Sequence, residues 1–149
     1  MRSYHTLEEE IDAVQRYLEG ESVITQGKIT REFYLDPEVD TETIVPSSLL
    51  QVFVENSLRQ AIAHDHNEAV LHISINRSKL GTLIMVADSG FRNRNGHQVE
   101  HTQSEGIKML NSYLPIFNRQ HRVSVSYKML SLNSENGSPG ARVLITIKS

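Results

Sequence analysis

At 149 residues and a formal net charge of −3, the chain fits one domain and offers no electrostatic case for nucleic acid. A hydrophobic share of 38% against 22% charged residues is that of a globular domain with a real core. The sequence has no cysteine, which excludes a disulfide, a thiolate metal site and a cysteine nucleophile, and no apolar run approaches the roughly 18–20 residues of a membrane helix. The start, Met1-Arg2-Ser3-Tyr4-His5, is not followed by a signal-peptide core. A reducing, cytoplasmic setting is expected, for the chain alone or as the cytoplasmic piece of something larger.

Thr6-Leu7-Glu8-Glu9 has the form of a capping box, with the Thr6 hydroxyl accepting the Glu9 N–H and Glu9 reaching back. Leu7, Ile11, Val14 and Leu18 follow at helical spacing, and Glu8, Glu9 and Glu10 suit the positive end of a helix. The pattern predicts a helix over about residues 6–21. Lys28 to Leu35 alternates apolar and polar residues and reads as a strand that Asp36-Pro37 ends. A polar link then reaches Pro46-Ser47-Ser48, where Ser47 or Ser48 is suited to cap a helix over about 48–64. The expected buried stripe of that helix is Leu50, Phe53, Val54, Ser57, Leu58 and Ala61.

Ala69 to Asn76 reads as a strand, with Val70, His72 and Ile75 as candidates for burial. Arg77 to Leu80 turns, and Thr82 to Ala87 is a nearly continuous apolar strand expected at the middle of a sheet. Ser89 to Glu105 is polar and without a usable period, a long loop of the kind that usually serves as a lid or stays disordered. Helical spacing returns over 106–117 through Ile107, Leu110 and Leu114, with Pro115 opposing the last turn. Val123 to Tyr127 and Arg142 to Ile147 read as strands on either side of a turn cluster, Asn133 to Gly140. The order α-β-α-β-β-α-β-β predicts a two-layer α/β sandwich, a mixed sheet with helices on one face.

Two constellations carry possible chemistry. Glu55-Asn56 lies inside the apolar run Leu49 to Ile62, and on a helical wheel Asn56, Arg59, Gln60 and Ala63 share a face largely opposite the apolar stripe. An Asn oxygen is a hard ligand suited to Mg²⁺, and a neighbouring Glu can orient water or act as a base. The plainer reading is a solvated helix face with a Glu55–Arg59 pair one turn apart. Asp88-Ser89-Gly90 ends an apolar strand. There a carboxylate can accept from an exocyclic amine and a glycine admits close approach to the backbone, or the three residues simply form a turn.

The order and spacing of these pieces are more specific than either alone. From Thr6 to Thr146 the chain resembles the ATP-binding catalytic domain of LytS/YesM-type sensor histidine kinases, in the GHKL (Bergerat-fold) superfamily. The resemblance rests on Thr6-Leu-Glu-Glu-Glu-Ile11 with Tyr17-Leu18, on Ile44-Val45-Pro46 leading to Leu49 to Asn56, on Val86-Ala-Asp-Ser-Gly90, on Glu105 to Asn111, and on Gly140-Ala-Arg-Val143. It implies a Bergerat fold in a single domain over 1–149, as the C-terminal part of a longer kinase. It implies that Asn56 coordinates Mg²⁺, that Glu55 assists phosphoryl transfer, and that ATP is held by Asp88, Gly90, Gly106 and Lys108 with 89–105 as a lid. By the same resemblance the parent is a membrane-anchored homodimer. Its histidine-bearing dimerisation helices and a response regulator are the expected partners.

The chain departs from that family at three places. The helix motif continues Arg59-Gln60-Ala61 in place of Lys-His-Gly. Arg92 replaces a glycine after the first box. The second box, Ser104-Glu105-Gly106-Ile107-Lys108, keeps one glycine of three, so Glu105 brings a carboxylate to a phosphate-binding position and Lys108 brings a charge that partly offsets it. No Phe-Leu-Phe-Asn run follows a histidine, and His5 reads as a terminal residue. These departures keep a second class open, a degenerate ATPase-like module that docks a partner, and a third, an anti-sigma-type serine kinase, which the 6–18 segment disfavours. His97-Gln-Val-Glu-His101 matches an inverted zinc-peptidase pattern but lies in the polar loop, and His64-Asp65-His66 fits a helix C-terminus as well as a metal. Arg92 and Arg94 are either solvated or face phosphate.

Overall fold

Ten elements build the domain in a computed structural model that describes residues 3–24, 29–63, 69–89, 104–132 and 140–149. A short strand β1 (Tyr4–Thr6) leads into helix α1 (Leu7–Ile24), followed by strands β2 (Ile29–Leu35) and β3 (Ile44–Pro46). Helix α2 (Gln51–Ala63) precedes the hairpin β4 (Ala69–Ser78) and β5 (Gly81–Ser89). Helix α3 (Glu105–Gln120) then leads to β6 (Ser124–Leu132) and β7 (Gly140–Lys148). The expected eight elements are present, and β1 and β3 are additions. At three residues each they are too short to show a period, and they form their own antiparallel pair, His5 opposite Val45.

The main sheet has the order β2-β4-β5-β7-β6. Among the described strands only β2 and β4 run parallel, and a parallel neighbour requires a crossover, which the segment carrying α2 supplies. β5 occupies the centre, as its apolar run predicts. Rows of side chains across the register make one face apolar. Ile75, Ile84 and Ile145 align, as do Ile73, Val86 and Val143, and all six are buried. The helices cover that face: α2 packs on β4 and β5 and against α3, and α3 packs on β6. The architecture is a mixed five-stranded sheet with helices on one side, an α+β sandwich of two layers.

Each helix inserts the residues its period selects. Leu7, Ile11, Val14 and Leu18 of α1, Leu50, Phe53, Val54, Ser57 and Leu58 at α2, and Ile107, Leu110, Leu114 and Phe117 of α3 are all buried. Ala61 of the expected stripe lies outside the described side chains. The capping box is present, with Glu9 N–H donating to Thr6 Oγ1 at 3.2 Å and Thr6 N–H to Glu9 Oε1 at 3.2 Å. α3 continues past Pro115 to Gln120, because the proline ring is exposed while Leu114 and Phe117 anchor the helix on both sides of it.

Three local expectations are corrected. In β4 the buried residues are Leu71, Ile73 and Ile75, whereas Val70 and His72 are half-exposed on the opposite face. The strand opens with Ala69, Val70 and Leu71, apolar in both parities, so its start alone does not choose the buried face. His72 instead meets Glu32 directly across from it on β2, Nδ1 to Oε2 at 2.8 Å. The hairpin turn tightens to Lys79-Leu80, and Gly81 has φ of +147° with space for no side chain, since a Cβ there would lie 2.1 Å from Ile147 O. The two ends of the loop expected over 89–105 belong to other elements, with Ser89 closing β5 and Glu105 opening α3, and residues 90–103 lie outside the described ones.

Candidate functional site

α2 carries the acid–amide pair, and its placement differs from the wheel-based expectation. Asn56 is only 8% exposed, not on a solvated face, while Arg59 is exposed. A Cβ on Gly106 would meet Val52 Cγ1 at 3.1 Å, so α3 begins close to α2 and a side chain there would have to push Val52 aside. Val52 and Asn56 are four residues apart and share one helix face, so α3 starts beside the turn before Asn56. Glu55, half-buried beside it, accepts a hydrogen bond from Gln51 Nε2 at 2.9 Å. Its neighbour one turn away is thus Gln51 upstream, not the expected Arg59.

Asp88 lies within β5 rather than after it. Side chains alternate along a strand, so Asp88 shares the helix-covered face with Ile84 and Val86, and it stands opposite the buried Leu71. The carboxylate is half-exposed at the end of that apolar row. Gly90 lies outside the described residues, as do Arg92, Arg94, His97, His101, His64, Asp65 and His66.

At the start of α3, Ser104 is the N-cap and its Oγ accepts from the Ile107 N–H at 3.2 Å. The side chains of Glu105 and Lys108 are turned to solvent, 88% and 59% exposed, and pair with each other at 3.4 Å. Lys108 therefore neutralises Glu105 rather than reaching inward. Such an exposed i,i+3 pair is worth a few tenths of a kcal/mol.

Two groups at the site are read in the sequence only as parts of the first helix. Tyr17 of α1 packs against the core with its phenol pushed up to about 12, through burial first, then the charges of Glu21 and Glu55, with Arg59 opposing. Tyr17 thus faces the Glu55 turn of α2. Glu10, fully buried, accepts from the N–H groups of Ser48 at 2.9 Å, Leu50 at 2.9 Å and Gln51 at 3.0 Å. The cap of α2 is thus carried by a carboxylate from α1, while Ser48, one of the two serines suited to the role, sits at φ +69° with its N–H in this cluster. A Glu three residues into one helix reads as a cap of its own helix, and nothing local signals that it serves another.

Chemically, the arrangement sets a buried carboxamide, a neighbouring carboxylate and a helix N-terminus together, with a second carboxylate on the same side of the sheet. Asn56 offers a hard oxygen for a divalent cation and Asp88 an acceptor for an amine donor. Among the described residues, no group of three or more His, Asp or Glu forms a metal cluster of its own.

No protein-family model and no curated protein sequence matches the chain. Solved structures do. A catalytic domain of histidine kinase ThkA is 19% identical with a TM-score of 0.52, covering 97% of each chain. The mycobacterial sensor histidine kinase MprB is 15% identical with a TM-score of 0.53, covering 99% of each chain. The chain has the histidine-kinase catalytic-domain fold. At these identities the likeness extends to the fold, and the chemistry rests on the side chains.

Proposed function

We propose that this chain is the ATP-binding catalytic domain of a sensor histidine kinase of the LytS/YesM type. One observation carries the reading. The acid–amide pair of α2, the Asp of β5 and the single retained glycine of α3 lie in the family's order on its fold, and Asn56 is buried one turn after Val52, which meets the start of α3. In this reading Asn56 binds Mg²⁺, Asp88 accepts from the adenine amine, and Gly90 and Gly106 admit the nucleotide close to the backbone. Glu55, steadied by Gln51, receives the proton of the attacking group or orients it. Mg²⁺ held by Asn56 would supply neutralisation of phosphate charge. The positive end of α3 adds a fixed dipole toward the same anion. Lys108 is paired outside the site and contributes charge only after leaving Glu105. The histidine acceptor belongs to dimerisation helices of a membrane-anchored parent that passes phosphate to a response regulator.

A second reading is a degenerate module that docks a partner with little or no nucleotide. The solvent-facing Glu105–Lys108 pair at the α3 start, where the family has glycines, favours it. Competition of ATP and GTP against a fluorescent adenine nucleotide separates the two. A nucleotide domain prefers ATP, and Asp88→Asn removes the preference by about tenfold or more, the loss of one charge-assisted hydrogen bond. Absence of displacement by either nucleotide supports the docking module.

A further inference from the structure

Asn56 is held in place by α2, and α2 is held at its start by a side chain from elsewhere. The Glu10 carboxylate is nearly inaccessible, with a side-chain exposure of 1%. Oε2 accepts from the N–H groups of Leu50 and Gln51, while Oε1 accepts from the N–H of Ser48 and lies 2.6 Å from His5 Nε2. These amides belong to the turn entering α2 and its first residue, where backbone donors have no partner within the helix. The carboxylate also matches the positive end of the α2 dipole.

The cluster ties three segments together. Glu10 is on α1, His5 on β1, and Ser48 to Gln51 lead into α2. β1 lies against the same turn through Tyr4 opposite Pro46 and the Ser47 N–H donating to Ser3 O at 3.0 Å. The Gln51 that donates its main-chain N–H to Glu10 also donates its side-chain Nε2 to Glu55. Gln51 therefore connects the Glu10 carboxylate directly to the acid–amide pair, five residues before Asn56.

We propose that Glu10 is a positioning residue for the Asn56–Glu55 pair. It fixes the start of α2, and through Gln51 the turn that presents Glu55 and Asn56, with His5 fixing the carboxylate in turn. A displacement of β1 or α1 reaches the pair by this route. The cation-binding part of the claim rests on the nucleotide reading above; the positioning part does not.

The test uses the intact chain and two variants. Glu10→Gln keeps size and one acceptor but turns an NH₂ toward either the Ser48 N–H or the Leu50 and Gln51 N–H groups. His5→Ala leaves the carboxylate and removes its outer partner. The first readout is the NMR resonance of the Asn56 side-chain amide together with exchange of the Ser48, Leu50 and Gln51 amides. In Glu10→Gln those amides exchange at least about tenfold faster and the Asn56 side-chain resonance moves. His5→Ala moves it less and in the same direction. The second readout is the gain in ATP affinity on adding Mg²⁺. Glu10→Gln reduces that gain by about tenfold, the scale for groups that orient a metal ligand, and leaves Mg²⁺-free affinity unchanged. An Asn56 resonance that stays in place in both variants while the three amides exchange faster overturns the proposal and leaves Glu10 a helix cap. If wild type binds no nucleotide, the kinase reading fails and the resonance still decides for or against positioning.

Discussion

Asn56 shows how a single side chain changes meaning between sequence and structure. A wheel places it away from the apolar stripe, which is correct for α2 alone. In the folded chain the start of α3 lies against Val52, one turn before Asn56 on the same face, and Asn56 is only 8% exposed. A divalent cation is a fitting partner for its carboxamide oxygen. Asn56→Ala is therefore expected to weaken Mg²⁺-dependent nucleotide affinity by about tenfold or more while changing the thermal midpoint little, read by paired titration and melting. Tyr17 allows a pH prediction. Its phenol is raised to about 12, above the unfolded value near 10, so folding favours the protonated form. The associated stability is fully present below pH 10 and is lost as pH rises through 12. Denaturant midpoints of wild type should fall across that window more steeply than those of Tyr17→Phe. Equal slopes would contradict the burial of the Tyr17 phenol.

At the level of elements, burial periodicity was legible and long-range pairing was not. α1 and α3 follow from their apolar spacing, and the α2 stripe holds at every described position, because α2 and α3 each pack one face on the main sheet and α1 packs on α2 and the β1–β3 pair. β4 misleads because both of its parities begin apolar. β1 and β3 escape because each is stabilised by the other across 38 positions or more, Thr6 opposite Ile44 at the nearest. The α2 cap escapes for the same reason, since Glu10 lies 38 positions from Ser48. Two substitutions test the element account. Gly81→Ala forces a side chain against the Ile147 carbonyl at a positive φ, and should cost about 2 kcal/mol or more in chemical denaturation. Phe53→Ala empties the fully buried centre of α2 beside Tyr127, ring centroids 4.8 Å apart, and should cost about 3–5 kcal/mol. A loss below about 1 kcal/mol at Phe53 would contradict a core centred there.

For the whole molecule, the order of motifs along the chain predicts the sandwich, and the sandwich brings separate motifs to one face. Asp88 and Asn56 are 32 positions apart, and both belong to the side of the sheet that the helices cover. That convergence depends on the parity of β5 and the seating of α3, neither of which has a local sequence signal. At the start of α3, Gly106 lies against Val52 with little room for a side chain, and the Glu105 carboxylate is turned outward and paired with Lys108. Calorimetric titration of the intact chain with ATP, with and without Mg²⁺, tests the central claim most directly. The account predicts saturable binding of one nucleotide per chain, strengthened by Mg²⁺ and weakened about tenfold or more by Asp88→Asn. No binding heat at about millimolar nucleotide, the weak end of specific affinity, would contradict it.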